Sequence, residues 1–337
     1  LPATPFGHLT YFRPPSKKMT AGVFFLLDGL VADRYIVRHG NDADDGASQM
    51  SKYEIVTARI IKQLEAGTRP WAQSWAAQPG GGRPLRHDGT PYRGANVINL
   101  WAAAMDRGFS STRWMTYRQA AELGGQVKKG AKAESAFYVG TIARTEEGAD
   151  VEKVIPFLKA YAVFNCDEIE GLPDQYYARP VLIQAGEGQR IPAVDAWVAA
   201  TQASINHGGG RAFYNRSGDY IQMPEFAAFQ TGACYYATLL HELAHWTGAP
   251  KRIEREKGKV FGDPAYAFEE LVAELSAAYL CADLGITSEP REDHASYIAG
   301  WIKALSDDAR NLFRAASHAE RAAEYLHGLQ QPLALAA

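Results

Sequence analysis

From Tyr53 to Ala66 the apolar residues Ile55, Val56, Ile60, Ile61 and Leu64 recur at the spacing of one helix face, and Gly67 follows. That period predicts an amphipathic helix. Asn96 to Arg107 repeats the pattern up to Gly108, and the run from Trp114 to Ala120 opens a third helix. Past Ser135 the period shortens to two. Phe137 to Ala143, Val151 to Ile155 and Leu158 to Asn165 read as strands, with a turn at Glu146-Glu147-Gly148. Residues 174–192 are punctuated by proline and glycine and read as a linker between two domains. Ala193 to His207 then predicts a helix ending at Gly208, and Arg211 to Tyr214 with Tyr220 to Met223 a hairpin. The rest is helical in period. One helix starts at a Thr231 cap and ends where Gly248 suits a left-handed residue, with Pro250 blocking continuation. Another is capped by Asp263-Pro264 and runs to Gly285; Tyr297 to Leu305 and Asp308 to Leu326 close the domain.

The order of elements predicts an α+β chain of two domains: a mixed domain over residues 50–173 and a second over 193–330. Its 337 residues exceed what one ordinary core organises. Residues 1–49 stand apart. They lack periodicity and end in a polar tract, so they read as a poorly ordered leader, with Met50 near the natural start. The longest apolar run, Ala21 to Val31, is interrupted by Asp28 and is too short to span a bilayer, so no membrane partner is expected. Three widely spaced cysteines, Cys166, Cys234 and Cys281, form no disulfide framework and fit a reducing cytoplasm.

Charge changes the picture more than composition does. The net charge of −3 conceals thirteen Lys and Arg against six Asp and Glu over 51–135, and fourteen against twenty from 174 onward. A basic half beside an acidic one implies an anionic partner for the first half only. Aromatic residues lie among those charges, including Trp71, Trp75, Trp101 and Trp114. Rings that stack on unpaired bases, interleaved with cations that neutralise phosphates, describe a single-strand binder. Candidate contacts are Trp71, Trp75, Arg86, Tyr92, Arg93, Asn96, Trp114, Tyr117, Lys128 and Lys129. The competing reading makes the tryptophans core and the arginines a solvated surface. The glycines at 80–82 follow no strand and no Walker loop occurs, which argues against a nucleotide fold.

The acidic half contains His241-Glu242-Leu243-Ala244-His245. Histidines four apart on a helix share a face, so both imidazoles can reach one cation. Neutral imidazole suits zinc, and Glu242 is placed to act as general base. A catalytic zinc takes three protein ligands. The next predicted helix offers Glu269, Glu270 and Glu274, of which Glu270 is the expected third ligand, with Glu274 supporting a ligand histidine from behind. Glu269 and Glu274 stay open as alternatives. His294, His318 and His327 read as surface residues. The expected cofactor is one Zn²⁺ per chain.

The pair of helices resembles the gluzincin arrangement. More specifically, Tyr92-Arg93-Gly94-Ala95-Asn96, the Trp114 to Ala120 run, Gly124 to Gly130 and Ala162 to Pro173 resemble the N-terminal domain of ArdC-type antirestriction proteins. That domain also occurs in plasmid-encoded primases. The second half, Tyr235 to Pro250 and Glu269 to Leu284, looks like the zincin-like metallopeptidase domain that follows it in the family. The resemblance implies single-stranded DNA as partner, protection of incoming plasmid DNA from restriction, and a protein substrate or restriction component for the metal site. Two other readings compete: a DNA-coating protein whose metal is structural, and a primase-associated DNA-binding fragment.

Overall fold

The first helix, α1 (Lys52–Glu65), starts where the sequence supplies a reciprocal cap. Ser51 Oγ accepts the Glu54 N–H, and the Glu54 carboxylate accepts the Ser51 N–H at 2.6 Å. Thr116 and Gln119 repeat the device at α3 (Tyr117–Glu122). Between them lie α2 (Ala95–Arg107), which ends at left-handed Gly108, and the short β1 (Trp114–Met115). The structure is a computed structural model and describes residues 51–71, 82–145, 152–178, 183, 188–255, 264–286 and 295–330. The leader, Met50, Trp75, the 146–148 turn, Asp263, His294 and part of the linker lie outside them.

After α3 come β2 (Gln126–Val127), β3 (Glu134–Thr145), β4 (Glu152–Asn165) and β5 (Ile169–Glu170). The sheet order is β1-β4-β3, with β2 and β5 paired separately, and β3 and β4 are antiparallel. The sequence suggests a break at Pro156, yet β4 runs through it as one strand, opposite Thr141. β1 reaches β4 only at Phe164 and Asn165. Among the described residues the other edge of β4 is therefore open at the proline, where a missing N–H is tolerated. Gly125 has a packing reason: a Cβ there would lie 2.6 Å from a Leu172 methyl.

The second half comprises α4 (Pro192–Ala200), β6 (Ser204–His207), β7 (Phe213–Asn215), β8 (Tyr220–Met223), α5 (Gly232–Thr247), α6 (Pro264–Leu284), α7 (Ala295–Asp307) and α8 (Arg310–Gly328). The helix expected over 193–207 is corrected: it ends at Ala200, Gln202 adopts φ 58°, and Ser204–His207 pairs in parallel with β8. The breaker is not a glycine or proline, so the boundary leaves no mark in the sequence. The β7–β8 hairpin occurs where the alternation placed it.

Glu269 to Cys281 of α6 are all buried, thirteen residues in succession. Such a helix is enclosed on every side. α5, α7 and α8 pack on it, while α1 packs in turn on α7 and α8, and α2 on α8. One apolar cluster therefore joins both halves, from Ile60, Trp71 and Trp101 to Tyr279, Trp301 and Leu326. Every described residue falls in one compact unit. Polar contacts cross the same boundary. Buried Arg83 pairs with Asp283 and Glu320, Tyr279 donates a hydrogen bond to Gly94 O at 2.9 Å, and Thr57 donates to Ala309 O at 2.8 Å.

Candidate metal centre

α5 carries the two histidines because its start and end are both fixed. Thr231 Oγ1 accepts the Cys234 N–H, and the helix then stays buried to Thr247. Gly248 is not left-handed, contrary to the sequence expectation; its φ is −75°. Space is tight there instead: a Cβ would lie 3.1 Å from Arg255 Nη2 and 3.2 Å from His245 O, so its neighbours would have to give. Past the helix the chain doubles back, with Arg255 N–H donating to Gly248 O and Glu254 held at φ 42°. This brings the Arg255 guanidinium under the end of α5, where it donates to Ala244 O and Thr247 Oγ1.

The structure brings His241, His245 and Glu270 together, with one ligand atom of each within 4.8 Å of the others, all buried. His241 Nε2 lies 3.2 Å from His245 Nε2 and 3.4 Å from Glu270 Oε2; His245 Nε2 lies 3.5 Å from Glu270 Oε1. Bonds of 2.0–2.1 Å at a tetrahedral angle place ligand atoms about 3.3 Å apart. The donor set thus fits a divalent cation in both chemistry and spacing. Three lone-pair donors face one another, and a shared positive charge turns their repulsion into attraction.

Carboxylates back both imidazoles. Glu274 Oε2 faces His241 Nδ1 at 3.6 Å, and Glu269 Oε1 meets His245 Nδ1 at 3.2 Å. Glu269 is in turn gripped by Arg255, whose Nε and Nη2 donate to its two oxygens at 3.0 and 2.8 Å. Burial alone would raise the Glu269 carboxyl, but the His245 hydrogen bond and the Arg255 charge hold it down at about 2. Burial would likewise raise Glu270, yet His245 and His241 keep it well below the usual carboxylate range. Burial lowers the His245 imidazole; Glu270 and Glu269 outweigh it and bring it up to about 9. All three shifts have one cause, the close facing of carboxylates and imidazoles in a buried site. Tyr266, on the same helix as Glu270, has its hydroxyl 3.4 Å from that of Tyr297. Burial, Tyr297 and Glu270 raise its phenol far above the normal range, so it persists as a neutral donor.

Glu242 is buried on α5 between the two histidines in sequence. Glu269, expected only as an alternative ligand, stands behind His245. Arg255 and Tyr266 were not singled out by sequence, and only their positions in the fold reveal them. Breaking a buried ion pair from one side costs about 3–5 kcal/mol. Arg255→Ala is expected to lose stability on that scale in chemical unfolding of the metal-free protein. An unfolding midpoint equal to that of the unaltered chain would show that the Arg255–Glu269 pair carries no net stability.

The nucleic-acid candidates separate into two groups. Trp71, Trp114 and Tyr92 are core side chains, 1%, 1% and 2% exposed, and Trp101 is buried too, so none of them can stack on a base in this conformation. Asn96 is also occupied: its amide donates to Phe137 O at 2.8 Å and accepts the Phe137 N–H at 2.7 Å, clamping α2 to β3. The Arg86 guanidinium lies 5.5 Å from the centre of the Tyr92 ring, and Arg93 pairs with Glu324 at 2.7 Å. Tyr117 is different. It is 55% exposed, its hydroxyl accepts from Gln126 Nε2 at 3.3 Å, and the exposed Lys128 and Lys129 follow β2 directly.

Residues 50–164 match the N-terminal domain of anti-restriction factor ArdC, and residues 192–318 match a zincin-like metallopeptidase family. Two solved structures of the antirestriction ArdC protein from R388 plasmid superpose well. The metal-free one is 46% identical with a TM-score of 0.72, and the Mn(II)-bound one 43% identical with a TM-score of 0.70. Each alignment covers 83% of this chain and 98% of the other. An uncharacterized protein, y4eC, of Sinorhizobium fredii is 39% identical over 297 residues, 82% of this chain and 92% of that one. A DNA primase TraC of Escherichia coli is 37% identical over 299 residues, which span 27% of the primase. Among the described residues no helix is long and apolar enough to cross a membrane.

Proposed function

This chain belongs to the ArdC antirestriction family, and from that premise we propose that it binds single-stranded DNA through its N-terminal half and holds one divalent cation, Zn²⁺ by its donor set, at His241, His245 and Glu270. It thereby protects incoming plasmid DNA from host restriction. The observation that carries this reading is the buried convergence of those three side chains, backed by Glu269 and Glu274. A bound cation supplies Lewis acidity to a peptide carbonyl. The chain's own part is proton handling and orientation. Glu242 accepts the proton of the attacking water and returns it to the leaving amine, the glutamates behind the histidines fix both rings, and Tyr266 stays protonated beside Glu270. A partner protein or restriction component is the substrate class this chemistry serves.

Protection itself is assigned chiefly to DNA coating, with the metal holding the second half in shape. Glu242→Gln decides between coating and cleavage, because it spares the ligands and removes the base. Under coating, the variant keeps its metal, its DNA affinity and its protection of plasmid arriving by conjugation. A folded, DNA-binding variant that fails to protect would make peptide cleavage the function.

The face for the strand is placed at Tyr117, Lys128 and Lys129, since the buried aromatic residues are unavailable. Tyr117→Ala is expected to weaken single-strand binding by about 1–3 kcal/mol, the worth of one stacked base, without altering its salt dependence. Reversing Lys128 and Lys129 to Glu should instead flatten the salt slope, by about 0.7 for each lost phosphate contact. Equal affinity for duplex and single strand, measured by fluorescence anisotropy, would defeat the stacking argument.

A further inference from the structure

The segment that follows α1 reaches the metal centre from the other half of the chain. Arg69 Nη1 lies 3.3 Å from Glu274 Oε1, and both side chains are about nine-tenths buried. The other oxygen of that carboxylate, Oε2, faces His241 Nδ1 at 3.6 Å. Glu274 is thus shared, with one oxygen toward a guanidinium from the N-terminal half and one toward a ligand imidazole. A carboxylate on a rotatable side chain orients a histidine only if it is itself held, and the Arg69 guanidinium supplies a buried charged contact that does so. Within the acidic set facing the centre, Arg255 holds Glu269 and Arg69 stands in the corresponding place for Glu274.

A second set of contacts fixes the same segment. Two residues on, Trp71 packs edge-on against Trp301 at 6.0 Å, Trp301 stacks on Tyr297 at 6.2 Å, and Tyr297 stacks on Tyr266 at 6.3 Å. An aromatic row therefore runs from the N-terminal segment to the tyrosine beside Glu270. Arg69 thus contacts a ligand's backing carboxylate directly, and Trp71 connects through Trp301 and Tyr297 to the phenol of Tyr266.

We infer that Arg69 is a positioning residue of the metal centre: it holds Glu274 against His241, so the cation affinity of the C-terminal half depends on a side chain of the N-terminal half. This rests on the metal-centre reading proposed above. A full-length chain that binds neither Zn²⁺ nor Mn²⁺ refutes that reading, and with it this one. Changes behind a metal-bound histidine typically cost 10–100-fold in affinity.

The test is a double-mutant cycle on the full chain with Arg69→Gln and Glu274→Gln. Zn²⁺ affinity is read by competition with a chromophoric chelator, and metal-free unfolding is read in parallel. Arg69→Gln is expected to weaken Zn²⁺ binding at least tenfold in the presence of Glu274 and to have no further effect in the Glu274→Gln background. A purely structural link between the halves would lower metal-free stability and leave affinity within twofold, which overturns the inference. So does an affinity loss that persists undiminished without Glu274. If the glutamine variant does not fold, Arg69→Lys takes its place in the cycle. It keeps the charge but gives up the planar fork, and its smaller loss must also vanish in the Glu274→Gln background. An affinity loss in Arg69→Lys that persists undiminished without Glu274 overturns the inference, whereas affinity near that of the unaltered chain shows that a cation at residue 69 suffices to hold Glu274.

Discussion

Cutting the chain after residue 173 is expected to give an N-terminal fragment that does not fold cooperatively, although the fragment matches a recognised domain. Reading the chain by segments suggests the opposite, that DNA binding survives the cut. The shared core argues against survival. Removing the second half exposes Trp71, which packs on Trp301, and Trp101, which lies 5.9 Å from Tyr279. It also strips Arg83 of both carboxylates and of the Tyr279 ring beneath its guanidinium. Burial of one large apolar side chain is worth about 1.5–3 kcal/mol, and several are lost together against a total stability of about 5–15 kcal/mol. Circular dichroism melting of residues 51–173 should show no sharp transition, whereas residues 51–330 should melt as one unit. A cooperative melt of the short fragment, with single-strand binding intact, would overturn the expectation.

Replacing His245 or His241 by Ala is expected to take metal content from about one ion per chain to none after dialysis, because two remaining protein ligands do not hold a catalytic zinc. Glu270→Ala should be nearly as damaging, since its carboxylate spans both imidazoles. Glu274→Ala and Glu269→Gln should be milder, about 10–100-fold in affinity, because each acts through a histidine. Atomic emission analysis with chelator competition distinguishes these classes. Full occupancy in Glu270→Ala would move the third ligand to Glu269 or Glu274.

What the sequence makes legible is what short-range chemistry sets. The cap read at Thr231 lies within three residues of the Cys234 N–H that it accepts. The His241 to His245 spacing places both rings on one face, and α6 announces itself as an uninterrupted helical run. What it hides depends on distance along the chain. Arg69 and Arg255 meet α6 from 205 and 14 residues away, and nothing local to either predicts the encounter. The tryptophans mislead for another reason. Tryptophan suits a core and a base-stacking surface equally well, and only tertiary packing, against Trp301 of α7 for Trp71 and Phe109 for Trp114, decides which role each takes. Their burial moves the expected strand contact to Tyr117, which composition ranked no higher than its neighbours.

The single core across both halves also bears on how such chains are exchanged among mobile elements. Recombination that carried off residues 50–164 alone would deliver a segment whose apolar face had lost its cover, and a recipient would gain an aggregating polypeptide. By this physical argument the block that would keep its core on transfer runs from α1 to α8. The longer primases conform to this, since their similarity extends over both halves together. Selection on the proposed strand-binding face would thus be tied to selection on the proposed metal centre through Trp71, Arg83 and Tyr279.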